Sequence, residues 1–263
     1  KLSTKLMTSA VMLATASLAA ASDWGVYGGD TGNTRYSSAK QINTSNVQNL
    51  QVKWALQLGS NRSQESTPIL VGDTLYVTSS FGPKNVFAVN AKTGEVKWRY
   101  SPELPKNVDQ FACCDVNSRG VTYANGKIFF GRLDAKLTAL DAKTGKELWT
   151  STVVDYTQGS VITSPPTAAK NVIITGFGGG EYGVRGAVIG YDQNTGKELW
   201  RTHTVPLAGE KGGDTWKGDS GKHGGGAAWY IGSYDPKLNL VYYGTSNPAP
   251  WSAAVRGNDS SEV

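Results

Sequence analysis

Three stretches of the chain superimpose without gaps: AVNAKTGEVKW at residues 88–98, ALDAKTGKELW at 139–149 and GYDQNTGKELW at 190–200. Their glycines lie 51 residues apart, and so do their tryptophans. A fixed period of this size, carried by strand-like residues, is typical of a β-propeller with one blade per repeat. The repeat therefore predicts an all-β chain in which each stretch closes one blade.

The residues of the repeat have separate structural roles. The Asp or Asn at the third position can accept hydrogen bonds from backbone amides ahead of it and hold a tight turn. The glycine can take the positive φ that closes the hairpin. The next strand brings a tryptophan to the neighbouring blade, where its ring buries a large apolar area and its N–H needs a partner. We therefore interpret Trp98, Trp149 and Trp200 as packing residues and not as parts of a site.

Further strand-like runs complete each blade as strand, turn, strand, connection, strand, turn, strand. Lys53-Trp54 is interpreted as the end of an earlier blade, and 234–244 as the start of a later one. The upstream strand pairs are predicted at 66–71 with 74–79, 120–124 with 127–132, and 163–168 with 172–176.

Composition agrees with this interpretation. Hydrophobic residues make up 39% of the 263, which is enough for a core and excludes a disordered chain. The 32 glycines and 10 prolines indicate many turns. The formal net charge is only +5 and no Lys/Arg cluster occurs, so the sequence has no nucleic-acid-binding footprint.

The first residues predict an export signal. An apolar run of small residues covers 6–21, and Ala19 and Ala21 form the small-x-small pattern that signal peptidase cuts. An amphipathic N-terminal helix is the alternative, but no polar face repeats. We expect a signal peptide at 1–21, with 22–263 the exported propeller, and no membrane span in the mature chain. Export would expose the two cysteines to an oxidising compartment.

Function is best sought where the repeat is interrupted, and the first interruption is Cys113-Cys114. Neighbouring Cα atoms lie ~3.8 Å apart, whereas a relaxed disulfide spans ~4.4–6.8 Å. A bond between the two would therefore close a strained ring, and such strain persists at functional sites. After export the thiols would oxidise to each other or to a partner, and a pair of buried free thiols is the remaining alternative.

Two loops carry candidate cation ligands. In FGGGEYGVR at 177–185, three glycines offer bare N–H groups to an anionic ligand, and a cation would relieve the repulsion from Glu181. In GTSNPAPW at 244–251, two prolines stiffen the chain around Asn247, whose amide oxygen suits a hard cation. The alternatives are a flexible surface loop for the first and a rigid turn between blades for the second.

A long glycine-rich excursion at 208–226 is predicted to be functional or disordered. His203 and His223 have no partner histidine at ligand spacing, so we interpret both as surface residues.

These motifs together resemble the PQQ (pyrroloquinoline quinone) dependent alcohol dehydrogenases, which are periplasmic eight-bladed propellers with tryptophan-docking repeats. The resemblance covers residues 23–256. It rests on the docking repeats, Cys113-Cys114-Asp115 with Arg119, the GGEYGVR segment and the NPAPW segment. An eight-bladed ring with a 51-residue period needs about 400 residues. We therefore expect the chain to contain about the first half of the ring.

The resemblance implies a complete set of cofactor contacts. A Cys113–Cys114 disulfide and Trp229 would sandwich the flat quinone, and Arg119 would bind its carboxylates. Glu65 and Thr163 match polar residues at the cofactor rim, and Gly179 and Gly180 would offer backbone contacts. Glu181 and Asn247 match the protein ligands of a Ca²⁺ or lanthanide ion.

The same resemblance implies oxidation of a primary alcohol to an aldehyde, with hydride transfer to PQQ and electrons passed to a cytochrome c. The cation would act as a Lewis acid. The family's catalytic base is an Asp in the next blade, and no residue here matches it, since Asp259 is too close to Asn247. We expect no turnover from these 263 residues alone.

Two other functions compete with this one. A non-catalytic periplasmic scaffold shares the docking repeat but needs neither the cysteine pair nor Glu181 and Asn247, and is usually lipid-anchored. A membrane-bound PQQ sugar dehydrogenase has several N-terminal spans and lacks the cysteine pair. The motifs favour the alcohol dehydrogenase over both.

Overall fold

A computed structural model describes residues 23–80 and 86–256; the predicted signal peptide lies outside them. The described chain is built from antiparallel β-sheets, as the repeat predicted. Its strands are β1 (Ile69–Val71), β2 (Thr74–Thr78), β3 (Val86–Asn90), β4 (Val96–Tyr100), β5 (Thr122–Ala124), β6 (Lys127–Gly131), β7 (Lys136–Asp141), β8 (Glu147–Thr152), β9 (Thr167–Ala169), β10 (Val172–Thr175), β11 (Ala187–Asp192), β12 (Glu198–His203), β13 (Ser233–Asp235) and β14 (Leu240–Tyr242).

The strands form three four-stranded blades and one two-stranded sheet, each in simple sequence order. Blade 1 contains β1–β4, blade 2 contains β5–β8, blade 3 contains β9–β12, and β13 pairs with β14 in blade 4. The predicted strand pairs are confirmed, although the first strand of each of these blades begins later than predicted, at Ile69, Thr122 and Thr167. Short helices occupy the connections: 3₁₀ turns at Val47–Asn49, Val108–Gln110, Tyr156–Gln158, Gly180–Tyr182, Gly213–Thr215 and Ser220–His223, and α1 at Ala253–Arg256.

The turn of each repeat has the predicted chemistry. In blade 2, Asp141 Oδ1 accepts hydrogen bonds from the amides of Lys143 at 3.1 Å and Thr144 at 2.8 Å. Gly145 has a φ of 72° and its N–H donates to the Asp141 carbonyl at 2.8 Å. The same pattern recurs at Asn90 and Asp192. Hydrogen bonds to the Asp141 carboxyl also lower its pKa. The largest cause is the bond from the Thr144 hydroxyl, and the backbone amides add to it.

The tryptophan at the end of each repeat packs on the next blade. The Trp98 indole N–H donates to the Ala142 carbonyl at 3.0 Å, and its ring covers Gly145 so closely that a Cβ there would lie 2.6 Å away. Trp149 makes the equivalent contacts with Gln193 and Gly196. The packing interpretation is therefore confirmed for these two residues.

The repeat tryptophans before and after these two, Trp54 and Trp200, are placed differently. Trp54 donates to the Ala91 carbonyl at 3.0 Å and covers Gly94, although Trp54 itself lies outside the β-strands. Trp200 lies over Gly190 of its own blade and is 37% exposed. In the described part of the chain it covers no turn of a following repeat.

The hydrophobic core lies between the blades. Ile69 and Tyr76 of blade 1 pack against Ile128 of blade 2, and Phe129 of blade 2 packs with Ile173 of blade 3. Each blade is thus buried by its neighbours, as expected of sheets stacked face to face. Eight blades remain a prediction for the whole ring.

The first strands of the blades gather around a common axis. Strand β9 contacts both β5 and β13, and an N-terminal segment bonds to the first strands of blades 1, 2 and 4. Trp24 in that segment bridges to Leu70, and the Thr31 carbonyl accepts a hydrogen bond from the Tyr234 amide at 2.8 Å. Residues just before each first strand therefore meet at one end of the axis. Within the described residues, no helix has the length and apolar character that crossing a membrane requires.

Candidate functional site

Four predicted site residues occupy the same position in successive blades. Glu65, Arg119, Thr163 and Trp229 each lie three or four residues before the first strand of their blade. Backbone hydrogen bonds join these approaches: the Thr67 amide donates to the Arg119 carbonyl at 3.1 Å, and the Arg119 amide donates to the Thr163 carbonyl at 2.8 Å. The propeller geometry thus brings together residues far apart in sequence.

The Arg119 side chain is the centre of this group. Its Nη1 donates to Thr163 Oγ1 at 2.6 Å, and its Nη2 forms an ion pair with Glu65 Oε2 at 2.6 Å. Its Cζ lies 5.0 Å from the centroid of the Trp229 ring, a cation–π distance. The guanidinium is therefore held from three sides and remains able to donate to an anion in the cavity.

The cysteines form a disulfide with each other, which resolves the alternatives left open by the sequence. Cys114 is exposed and, like Asp115 after it, has a φ of 68°. The Asp115 carboxylate accepts from the Ser63 amide at 3.2 Å, and the Val116 and Ser63 amides lower its pKa. Asp115 therefore connects the disulfide loop to the segment that carries Glu65.

Asn117 is a residue of the site that sequence reasoning missed. Its Nδ2 donates to the Cys114 carbonyl at 3.0 Å and to Glu65 Oε1 at 3.1 Å. The residue is only 4% exposed, and its Oδ1 has no hydrogen-bond partner among the described residues. An asparagine three residues after a cysteine has no distinctive spacing. Only the folded chain shows that Asn117 joins the disulfide to Glu65.

The glycines before Glu181 pack closely against other loops, and Gly178 and Gly179 also line the cavity described below. A Cβ at Gly179, whose φ is 107°, would lie 2.4 Å from the Gly159 carbonyl oxygen. A Cβ at Gly180 would lie 2.9 Å from Ser246 Oγ. These glycines therefore allow close packing against other loops, and the packing fixes the short helix that presents Glu181.

The long excursion at 208–226 is ordered and structural. Its Gly225 bridges in parallel to Arg185 on one side and antiparallel to Pro248 on the other. The Gly225 amide also donates to the Val184 carbonyl at 2.9 Å. Because Gly225 lies between them, it holds together the two loops that contain the predicted cation ligands.

The histidines lie outside this group. His203 Nδ1 is 3.3 Å from the Gly186 carbonyl and His223 Nδ1 is 3.1 Å from the Gly183 carbonyl. Both side chains are exposed, as predicted, and partial burial lowers the pKa of His203.

A cavity of about 240 Å³ opens where these elements meet. Seven of the ten predicted site residues line it. Glu65, Gly180 and Asn247 do not, but each adjoins a residue that does: Arg119, Glu181 and Ser246 respectively. The lining consists of Cys113, Cys114, Asn117, Arg119, Val161, Thr163, Gly178, Gly179, Glu181, Trp229 and Ser246.

The cavity combines groups that suit a flat anion and a cation. Arg119 and Thr163 offer donors, the disulfide and the Trp229 ring offer planar faces, and a Glu181 carboxylate oxygen lies within 4.8 Å of both sulfurs. Asn247 is exposed, and its backbone carbonyl accepts a hydrogen bond from the Gly226 amide at 3.1 Å. A carboxylate and an amide oxygen are donors that hard cations prefer.

The fold and this site define a class of protein: a β-propeller with a cavity on its axis suited to a planar anionic cofactor. Residues 24–259 match the PQQ family described as "Glucose/ethanol/alcohol dehydrogenase, beta-propeller domain", and the chain belongs to this family.

Similar proteins agree with the family. The chain is 42% identical over 258 residues to the lanthanide-dependent methanol dehydrogenase of Methylacidiphilum fumariolicum, covering 90% of this chain and 42% of that protein. It is 38% identical to the quinoprotein alcohol dehydrogenase PedH of Pseudomonas putida, covering 86% and 40%. A solved europium-containing methanol dehydrogenase matches with a TM-score of 0.87 at 41% identity, covering 91% and 45%. The chain spans about two fifths of the length of the curated relatives it matches.

Proposed function

We propose that this chain forms the cofactor wall of a PQQ-dependent alcohol dehydrogenase, and that the whole protein oxidises a primary alcohol to an aldehyde. The observation that carries the proposal is the convergence of the disulfide, Arg119, Trp229 and Glu181 on one cavity. A non-catalytic scaffold would need none of these groups together. A sugar dehydrogenase is disfavoured by the cysteine pair.

The residues present fit PQQ. Arg119 is already oriented by Thr163 and Glu65, so its remaining N–H groups would bind a cofactor carboxylate without reorganising. The disulfide and the Trp229 ring would contact the two faces of the flat ring system. When bound, PQQ supplies a quinone that accepts the hydride of the alcohol.

The cation would be held by the Glu181 carboxylate and the Asn247 side-chain oxygen. Two protein ligands are few for a hard cation, which takes six to eight oxygens when it is Ca²⁺. The cofactor would therefore supply further ligands, and cation and cofactor would bind together. A relative named as lanthanide-dependent supports a lanthanide as the alternative to Ca²⁺.

The proposal includes export of the protein to the periplasm. The signal-like run at 6–21 supports a periplasmic location, where a cytochrome c would accept electrons one at a time.

PQQ titration of the purified chain with Ca²⁺ or La³⁺, followed by tryptophan fluorescence, tests the proposal. We expect quenching that needs a cation, and Glu181→Gln should remove that cation dependence. Glu95→Gln, an exposed carboxylate on the β3–β4 turn, is the matched control and should bind as the unmodified chain does. The longer protein should also reduce a dye when alcohol is added. Absence of bound quinone in that protein with either cation would refute the proposal.

A further inference from the structure

Two sulfur atoms and a carboxylate oxygen meet on the wall of the axial cavity. The Sγ atoms of Cys113 and Cys114 and an oxygen of Glu181 all lie within 4.8 Å of one another. Cys114 and Glu181 are exposed and Cys113 is half-buried, so a small ion in the cavity reaches all three. In the oxidised protein the sulfurs are bonded to each other, and neither is a thiolate that could bind a metal.

The spacing matches a thiophilic cation once that bond is opened. Zn–S and Zn–O distances of ~2.3 Å and ~2.0–2.2 Å place tetrahedral ligands about 3.5–3.8 Å apart. The three atoms already lie within 4.8 Å, and opening the bond lets each sulfur rotate about its own Cα–Cβ bond. Two thiolates and a carboxylate make three protein ligands, and a water from the cavity would complete the tetrahedron.

We propose that reduction of the Cys113–Cys114 disulfide creates a binding site for a thiophilic divalent cation such as Zn²⁺ or Cd²⁺, with Glu181 as the third ligand. A phosphine reductant breaks the S–S bond. The sulfurs take up two electrons from the phosphine and two protons from water, and the phosphine becomes its oxide by taking the water oxygen. The cation then displaces the two thiol protons to solvent.

The surroundings are compatible with a cation at this point. Arg119, which lines the cavity, is paired with Glu65 at 2.6 Å, so its charge is partly neutralised. Asn117 borders the same cavity, and its buried Oδ1, without a hydrogen-bond partner among the described residues, can accept a hydrogen bond from a metal-bound water. Reduction of the disulfide therefore adds two sulfur ligands to the Glu181 carboxylate in the same cavity.

Zinc titration of the reduced chain against a chromophoric chelator tests the proposal, with the phosphine removed and oxygen excluded. We expect one tight equivalent per reduced chain and no comparable site in the oxidised chain. Glu181→Gln should weaken binding at least about tenfold, whereas Glu95→Gln should not change it. The double variant Cys113→Ser with Cys114→Ser should bind no tight equivalent of zinc whether or not it has been treated with phosphine, which also excludes the histidines as the source of the site.

Cd²⁺ gives a second readout, because thiolate-to-cadmium charge transfer absorbs in the ultraviolet only when sulfur is the ligand. Circular dichroism of each variant establishes that it is folded. The proposal is overturned if the folded reduced chain binds no more zinc than the oxidised chain, or if Glu181→Gln and Glu95→Gln bind alike. None of these measurements needs PQQ, so the result is separate from that of the proposed function.

Discussion

Replacing Gly145 by alanine tests whether tryptophan docking between blades stabilises the fold. Gly145 has a φ of 72°, and a Cβ there would lie 2.6 Å from two atoms of the Trp98 ring. The left-handed backbone costs a non-glycine residue about 1–2 kcal/mol. Displacing the ring adds about 1–3 kcal/mol of overpacking and about 1 kcal/mol for the indole hydrogen bond to Ala142.

Gly126 provides a matched control in the neighbouring hairpin. Its φ is 75°, and an added Cβ would meet no atom within 4 Å. Gly126→Ala should therefore lower the free energy of unfolding only by the backbone strain. The free energy of unfolding of Gly145→Ala should be about 2–4 kcal/mol below that of Gly126→Ala. Urea denaturation of the full chain, followed by circular dichroism, measures both free energies of unfolding. Equal losses for the two variants would show that Trp98 docking contributes nothing and would refute the reasoning.

Three further predictions concern the turn, the cavity and the cysteines. The folded-state pKa of Asp141 lies below its usual value of 3.8, so its stabilising effect is present above that pH and is lost as the pH falls through the folded pKa. The stability difference between the native chain and Asp141→Asn should therefore shrink from about pH 5 to about pH 3, and a constant difference in urea denaturation would contradict this. Arg119→Lys keeps the charge but replaces the planar guanidinium, whose Nη1 and Nη2 contact Thr163 and Glu65, with a single nitrogen, so PQQ affinity measured by fluorescence should fall about tenfold, and an unchanged affinity would remove Arg119 from the site. Mass spectrometry after alkylation should find no modified cysteine in the native protein and two after reduction; two in the native protein would reject the disulfide.

The propeller blades could be predicted from sequence because every element of the repeat acts either within its own turn or at one fixed spacing along the chain. Asp141 caps its own turn, Gly145 supplies the positive φ, and Trp98 reaches one blade further. These interactions depend on residue type and on a fixed spacing, both of which the sequence displays. The family resemblance then predicted which residues contact a cofactor, and the structure places most of those residues on one cavity.

What the sequence could not show is how distant loops support one another. The excursion at 208–226 has the composition of a mobile loop, yet its Gly225 joins the loops on either side by β-bridges. The glycines before Glu181 predict room for a ligand, and the sequence does not show that Gly159 and Ser246 also approach Gly179 and Gly180 too closely for a side chain. Asn117 carries no motif at all. Each of these roles depends on contacts between residues far apart in sequence, which no local pattern encodes.

Four residues of the site occupy the same position in successive blades but differ in side-chain chemistry. Because every blade enters its first strand at the same end of the axis, the residue three or four places earlier points to the same region in each blade. At this position successive blades place Glu65, Arg119, Thr163 and Trp229: a carboxylate, a guanidinium, a hydroxyl and an indole. The repeat therefore determines where these four residues lie. Their different side chains place hydrogen-bond donors beside an aromatic ring, which suits a flat anion.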